Sequence, residues 1–211
     1  MPNWCFNNIR IKGPTPMLDK FRQDMATVCG ENTHFSYSFC TPMPEEYRMT
    51  TSPTPQSENE IREMAAAYNW EPGVLERKLE YAMTDEQRAF YDSLIEKYGS
   101  ENWYDWANAN WGTKWDACHA AHERVPFGIV GKDRVEISFD TAWAAPEPVI
   151  HALVRKYPNL NFVHSYSYEG EENTDFTVDY RMNEGVLEAM VSISTDMTEY
   201  EPWEDVSHML A

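Results

Sequence analysis

Residues 134–143, RVEISFDTAW, carry the clearest structural signal in the chain. Val135, Ile137, Phe139 and Trp143 fall on one side of an extended backbone, and Arg134, Glu136, Ser138 and Asp140 fall on the other. A period of two with one apolar side is what a strand half-buried against a core requires. The pattern predicts a central strand whose core face is Val135, Ile137 and Phe139. Pro146-Glu147-Pro148 then opens a helix, since a proline in the first turn gives up an N–H that has no partner there anyway. Val149, Ile150, Leu153, Val154 and Tyr157 form its apolar stripe, and Pro158-Asn159 ends it. Phe162, Tyr166 and Tyr168 continue as a strand. A further strand, 175–182, alternates Phe176, Val178, Tyr180 and Met182 with Thr177, Asp179 and Arg181.

The N-terminal part follows the same plan. Residues 5–12 read as a strand with Ile9 and Ile11 facing one way and Arg10 and Lys12 the other. Gly13-Pro14-Thr15-Pro16 breaks it. Met17, Leu18, Phe21, Met25 and Val28 then recur at helical spacing, and Gly30 is a natural stop. From His34 to Phe39, Phe35, Tyr37 and Phe39 alternate with polar residues, which predicts a half-buried strand. Strand, P-x-P, helix and aromatic strand thus occur twice, the order of two βαβ halves in a split βαβ sheet. The predicted class is α+β: a ferredoxin-like split βαβ antiparallel sheet with a helical insertion between its halves. Residues 1–44 are the first half, 45–125 the insertion, and 126–211 the second half with an extra strand and an acidic tail, all in one composite domain.

Inside the insertion, 48–58 is rich in Ser, Thr and Pro and reads as a loop. Ser57 with Glu60 and Thr84 with Gln87 have capping-box spacing. Helices are expected near 59–68, 74–82, 85–98 and 101–109, with Gly99 as a C-terminal stop.

The chain has 35 acidic and 17 basic residues, a formal charge of −18. A field of that sign repels phosphate backbones and anionic membranes, so neither general nucleic-acid binding nor membrane association is expected. It attracts a basic partner. Cys5, Cys29, Cys40 and Cys118 are widely spaced without a CxxC pair, and no signal peptide or membrane span is visible. Free thiols and a cytoplasmic location in a host cell are the expectation.

Residues 102–119, NWYDWANANWGTKWDACH, hold four tryptophans within thirteen residues, Trp103, Trp106, Trp111 and Trp115. One reading is an aromatic pocket for a planar or nucleotide-like ligand. Trp103, Trp106, Asn110, Trp111, Thr113, Lys114, Trp115, Asp116 and Trp143 would form it, with Lys114 on a phosphate. The other is a hydrophobic latch that docks the insertion on the sheet, because four indoles are too large to leave without partners. Gly112-Thr113 suits a sharp turn with Thr113 capping a helix from Lys114. Cys118, His119, His122 and Glu123 have a spacing that could put ligands on one helix face, but a structural zinc site usually needs four ligands and no second Cys or His pair lies near. No metal site and no cofactor are therefore expected. No nucleophile elbow, Walker loop or dinucleotide fingerprint is present, so no catalytic residue is assigned and the chain reads as non-enzymatic.

The stretches Met1-Pro2-Asn3-Trp4-Cys5, Asn7, Gly13, Trp103-Tyr104, Asn110-Trp111-Gly112-Thr113-Lys114-Trp115-Asp116, Thr141-Ala142-Trp143 and Pro146 resemble the Api92-like, YubB-type ferredoxin-like family. That family is carried by bacteriophages, prophages and conjugative plasmids. The resemblance implies the ferredoxin-like fold and a mobile-element origin, and supplies no catalytic residues. The leading expectation is an accessory protein that binds a basic host protein and inhibits a host defence system by imitating nucleic acid. Glu169, Glu171, Glu172, Asp175, Asp196, Glu199, Glu201, Glu204 and Asp205 are its candidate contact surface. The alternatives are a nucleotide or small-ligand binder using the tryptophans, and a metal-dependent enzyme acting on nucleotides or nucleic acid.

Overall fold

The computed structural model describes residues 3–29, 35–118, 134–171 and 174–194. Five strands form one antiparallel sheet in the order β2-β1-β3-β4-β5. β1 is Trp4–Lys12, β2 Arg134–Ala142, β3 Asn161–Tyr168, β4 Asp175–Asn183 and β5 Val186–Ser194. β2 and β3 both run antiparallel to β1 and lie on either side of it. They are therefore parallel to each other and are joined through helix α6, Glu147–Lys156. This is a split βαβ unit with β1 in the slot.

Alternation along the strands gives the sheet two unlike faces. Ile9 and Ile11 of β1, Val135, Ile137 and Phe139 of β2, Phe162 of β3 and Val178 and Tyr180 of β4 are all buried. They pack against Leu18, Phe21 and Met25 of α1 (Thr15–Cys29) and Val149, Ile150, Leu153 and Val154 of α6 in one core. Val28, expected in the α1 stripe, is exposed. The opposite face is polar. One row across it reads Ser138, Asn8, Ser165, Thr177, Ser192, with Asn8 Nδ2 donating to Ser138 Oγ at 2.9 Å.

Within the apolar face sits one polar cluster. The Asn7 amide donates from Nδ2 to the Cys5 carbonyl (2.8 Å) and to Thr141 Oγ1 on β2 (2.9 Å). Its Oδ1 lies 3.0 Å from His164 Nε2 on β3. Since Oδ1 can only accept, Nε2 carries the proton and His164 Nδ1 is the bare nitrogen, which finds no partner among the described residues. Burial pushes the His164 imidazole down to about 4, because a second proton on Nδ1 would be charged and unpartnered. Burial likewise pushes the Cys5 thiol up to about 11.

The insertion forms α2 (Glu58–Tyr68), α3 (Pro72–Leu79), α4 (Asp85–Tyr98) and α5 (Trp103–Trp111). Both capping boxes are present, Ser57 with Glu60 and Thr84 with Gln87; such caps contribute about 1 kcal/mol each. Gly99 ends α4 as expected. The fully buried Tyr47 ties the start of the insertion to its later helices: its hydroxyl donates to the Ser100 carbonyl at 2.8 Å, and its ring lies 5.9 Å from Trp106.

Several expectations need correction. Residues 35–39 do not form a strand; Tyr37–Phe39 is a 3₁₀ turn capped by Ser36, and His34 lies outside the described residues. Phe35, Tyr37 and Phe39 are nevertheless all buried, so the alternation reported burial correctly and pairing wrongly. The Tyr37 N–H goes instead to Asp116 Oδ1 at 2.7 Å. Among the described residues the first half thus contributes one strand, and β2 is the first strand of the order, not a central one. β5 was not expected at all. It forms a hairpin with β4 through Glu184-Gly185, both with positive φ (48° and 83°), the backbone of a tight two-residue turn. The acidic tail lies outside the described residues.

Two predictions follow from the core. Ile137→Ala should cost about 2–5 kcal/mol in denaturant unfolding, the range for emptying a packed aliphatic site; a change below about 0.5 kcal/mol belongs to surface sites and would show the core face to be wrong. For His164, the folded value lies below the ordinary imidazole value of 6.5, so between 6.5 and about 4 the unfolded chain binds the proton and the native one does not. Stability should then fall as pH drops through that window, by up to roughly 3 kcal/mol. His164→Gln, which keeps a donor for Asn7, should remove that component of the slope in urea titrations at successive pH values. An unchanged slope would contradict the assignment.

Candidate functional site

Helix α5 begins at Asn102, whose Oδ1 accepts from the N–H groups of Tyr104 and Asp105. Its helical spacing turns Trp106, Ala107 and Trp111 toward the core, all buried, and leaves Trp103 and Tyr104 part-buried. Trp106 and Trp111 meet edge to face at 5.4 Å. Trp111 also meets Tyr37 at 5.4 Å, and its Nε1–H donates to the Thr41 carbonyl at 2.8 Å. Asn110 Nδ2 donates back to the Trp106 carbonyl of its own helix. Trp111 thereby ties the insertion to the Tyr37–Thr41 segment.

Gly112 ends the helix at φ 76°. A Cβ there would stand 2.9 Å from Pro148 Cδ, so glycine is required twice, by its backbone angle and by its neighbour. Beyond it the chain makes bends, not the helix expected from Lys114. Thr113 caps no helix: it is buried, and its hydroxyl donates to the Ala142 carbonyl at 2.9 Å. Asp116 Oδ2 accepts from Ser36 Oγ (2.6 Å) and Oδ1 from the N–H groups of Tyr37 and Ala117 (2.7 Å each). Cys118 and Asp140 exchange both backbone hydrogen bonds at 2.8 and 2.7 Å.

Between these anchors, Lys114 and Trp115 face outward. The Lys114 ammonium lies 3.9 Å from the ring centroids of both Trp115 and Trp143. Trp115 is 39% exposed and Trp143 49%. Trp143 does not continue the core face of β2, because its φ of 75° flips the side chain out of the alternation. Positive φ is costly for a bulky residue. Here the Trp143 N–H donates to the Asn3 carbonyl at 2.9 Å, which helps fix the conformation. Trp4, at the start of β1, stands 6.5 Å from Trp115. Three indoles and one cation thus share one end of the sheet.

Carboxylates lie at the same end. Glu169 follows β3; its N–H donates to the Trp4 carbonyl (2.8 Å), and its Oε2 accepts from the Trp4 N–H (2.9 Å). Glu169 and Glu171 are exposed, and Asp175, which opens β4, is half-buried. An open cleft of about 430 Å³ runs over the polar face beside them, lined in part by Phe6, Asn8, Ser165, Ser167 and Asp175. Glu172, Asp196, Glu199, Glu201, Glu204 and Asp205 lie outside the described residues. So the predicted tryptophan set divides. Trp111, Thr113 and Asp116 build the joint, Trp103 and Trp106 pack in or against the core and Asn110 bonds within its own helix, while Lys114, Trp115 and Trp143 form an exposed surface. Trp4 was missed as a member of it. Its signal was an indole at the end of a strand paired with the end of the RVEISFDTAW strand.

Among the described residues no group of three His, Cys, Asp or Glu side chains is placed to hold a metal; His119, His122 and Glu123 lie outside them. Burial, then Asp116 and Asp140, push the Cys118 thiol up, away from the thiolate that would ligate zinc. Cys5, Cys40 and Cys118 are free thiols; the Cys29 side chain is outside the described residues. No described helix is long and apolar enough to cross a membrane.

Residues 110–207 match the family model described as the ferredoxin-like domain in Api92-like protein. The match opens on Asn110, the first residue of NWGTKWD, and supports the family resemblance and the ferredoxin-like α+β fold expected from the sequence. Among solved structures, the crystal structure of a protein api92 from Yersinia pseudotuberculosis is similar, with a TM-score of 0.39 and 9% identity over 86% of this chain and 95% of that one. No curated protein matches.

Gly112→Ala should therefore destabilise the protein by about 1–3 kcal/mol, the usual cost of overpacking and backbone strain. The thermal midpoint should fall with the fold retained. A neutral effect would mean that the turn is not anchored against Pro148.

Proposed function

Given a domain whose description names a fold and no reaction, we propose that the chain works by binding a basic protein surface at the indole-and-carboxylate end of its sheet. The observation that carries this reading is the meeting of two cation-seeking chemistries at that end. Trp4, Trp115 and Trp143 offer indoles, while Glu169, Glu171 and Asp175 offer carboxylates. Indole faces attract cations through the ring quadrupole. Carboxylates add charge-assisted hydrogen bonds. Lys114 already occupies such a position, its ammonium 3.9 Å from two rings. The charge of −18 steers a basic partner from a distance. A protein that grips nucleic acid has the complementary surface, since it must neutralise a row of phosphates. A host defence protein with such a groove is the class of target, and filling the groove excludes its nucleic acid.

A second reading, an anionic ligand such as a nucleotide on Lys114, is favoured by one observation: Lys114 forms no ion pair among the described residues.

An arginine- and lysine-rich peptide titrated at low salt, with tryptophan emission as the signal, tests the first. Binding should weaken steeply as salt rises. Trp143→Ala should lose about 0.5–2 kcal/mol of affinity, the worth of one cation–ring contact, and Asp175→Asn should weaken binding too. Glu63→Gln, on the far insertion, should change nothing. If the folded protein ignores the peptide at low salt, the reading is wrong. Lys114→Met separates the two readings, since it spares peptide binding but abolishes any nucleotide response.

A further inference from the structure

The two edges of the sheet are treated differently. On β2, the outermost strand at one side, Asp140 exchanges both backbone hydrogen bonds with Cys118, and the Arg134 carbonyl accepts from the Arg22 guanidinium at 3.1 Å. The strand also carries Arg134, Glu136 and Asp140. On β5, at the other side, no described strand pairs with the outer edge.

β5 reads VLEAMVSIS over nine residues. It contains no proline or glycine, and its ladder with β4 runs without a bulge from Asp175↔Ser194 to Asn183↔Val186. Its one charge, Glu188, is bonded by Arg181 at 2.7 Å and Asn183 at 2.8 Å. Val186, Met190, Val191 and Ile193 are each exposed by more than half. Proteins ordinarily protect an edge strand with a lysine, a proline or a bulge, because its bare N–H and C=O groups template further pairing. β5 has none of these, in a chain that is otherwise strongly charged.

We propose that β5 is a self-association edge, pairing antiparallel with β5 of a second copy about a two-fold axis at Met190. Residues facing each other then follow from the symmetry. Leu187 lies opposite Ile193, Ala189 opposite Val191, Glu188 opposite Ser192, and Met190 opposite itself. The helix-side face receives only apolar pairs, and no like charges meet. Moving the axis to residue 188 would set Glu188 against its own copy, so the electrostatics disfavour that register. The occupant is a second copy because the edge is self-complementary and nearly neutral. Its one charge, Glu188, is already engaged by Arg181 and Asn183 on β4 and is not left to select a basic foreign strand. Two bodies of charge −18 repel, so the pairing strengthens as salt screens them. That trend is opposite to the one expected for a basic partner, so the two readings fail independently.

Sedimentation velocity of the full chain across micromolar concentrations, at low and high salt, reads the association. A dimer that grows with concentration and salt is expected, and Val191→Lys should abolish it while the circular dichroism spectrum stays native. Met190→Cys gives the register. Cα atoms directly opposite in an antiparallel pair are about 4.5–5.5 Å apart, within the span of a disulfide. The variant should cross-link on mild oxidation, whereas Val186→Cys should not. A monomer under every condition overturns the proposal. So does a dimer that survives Val191→Lys, and so does Met190→Cys cross-linking no better than the Val186→Cys control.

Discussion

The buried amide of Asn7 is the constraint from which the sheet takes its order. One side chain binds Thr141 on one neighbouring strand and His164 on the other, so β1 has a specific place between β2 and β3. A one-residue slip would turn Asn7 to the polar face and bring Asn8 into the core. It would also leave the His164 imidazole buried without a partner, at a cost of about 1–3 kcal/mol. Apolar residues alone favour the slot weakly, because Ile9 and Ile11 would pack acceptably against many neighbours. The hydrogen bonds make the placement specific, and once β1 is placed, Trp4, Ala142 and Tyr168 are brought to the same end of the sheet.

NWGTKWD has two duties at that end. Trp111, Thr113 and Asp116 tie the insertion to the loop at Thr41, to the end of β2 and to the 3₁₀ turn at Tyr37. The two residues between the ties, Lys114 and Trp115, are thereby held at the surface. A joint this rigid can hold an exposed indole in one orientation, which lowers the entropy lost when a partner orders it.

The parts legible in the sequence were those where local chemistry and tertiary packing agree. The period of two in 134–142, the two capping boxes and the helical stripe of α6 each specify one structure. Phe35, Tyr37 and Phe39 show where the signal is degenerate, because three rings can be buried by an extended segment leading into a 3₁₀ turn as well as by a strand. The deciding contact, Asp116 to the Tyr37 N–H, lies 79 residues away in sequence, beyond any local pattern. β5 was illegible for the opposite reason: apolar residues stand on both of its faces and are exposed on both, so no alternation appears. Within the candidate site, the cluster of tryptophans was visible but its division was not. Which indole turns inward depends on two left-handed residues, Gly112 and Trp143, and only the glycine announced itself.

The bridge between Cys118 and Asp140 has a consequence for growth. A sheet with two open edges can add identical strands at both and lengthen without limit, as fibrils do. Here one edge has the backbone groups of Asp140 already spent and an arginine across the carbonyl at Arg134. A strand added along β2 would have to displace these contacts, so the two edges are not equivalent. That asymmetry favours a closed pair over a propagating sheet.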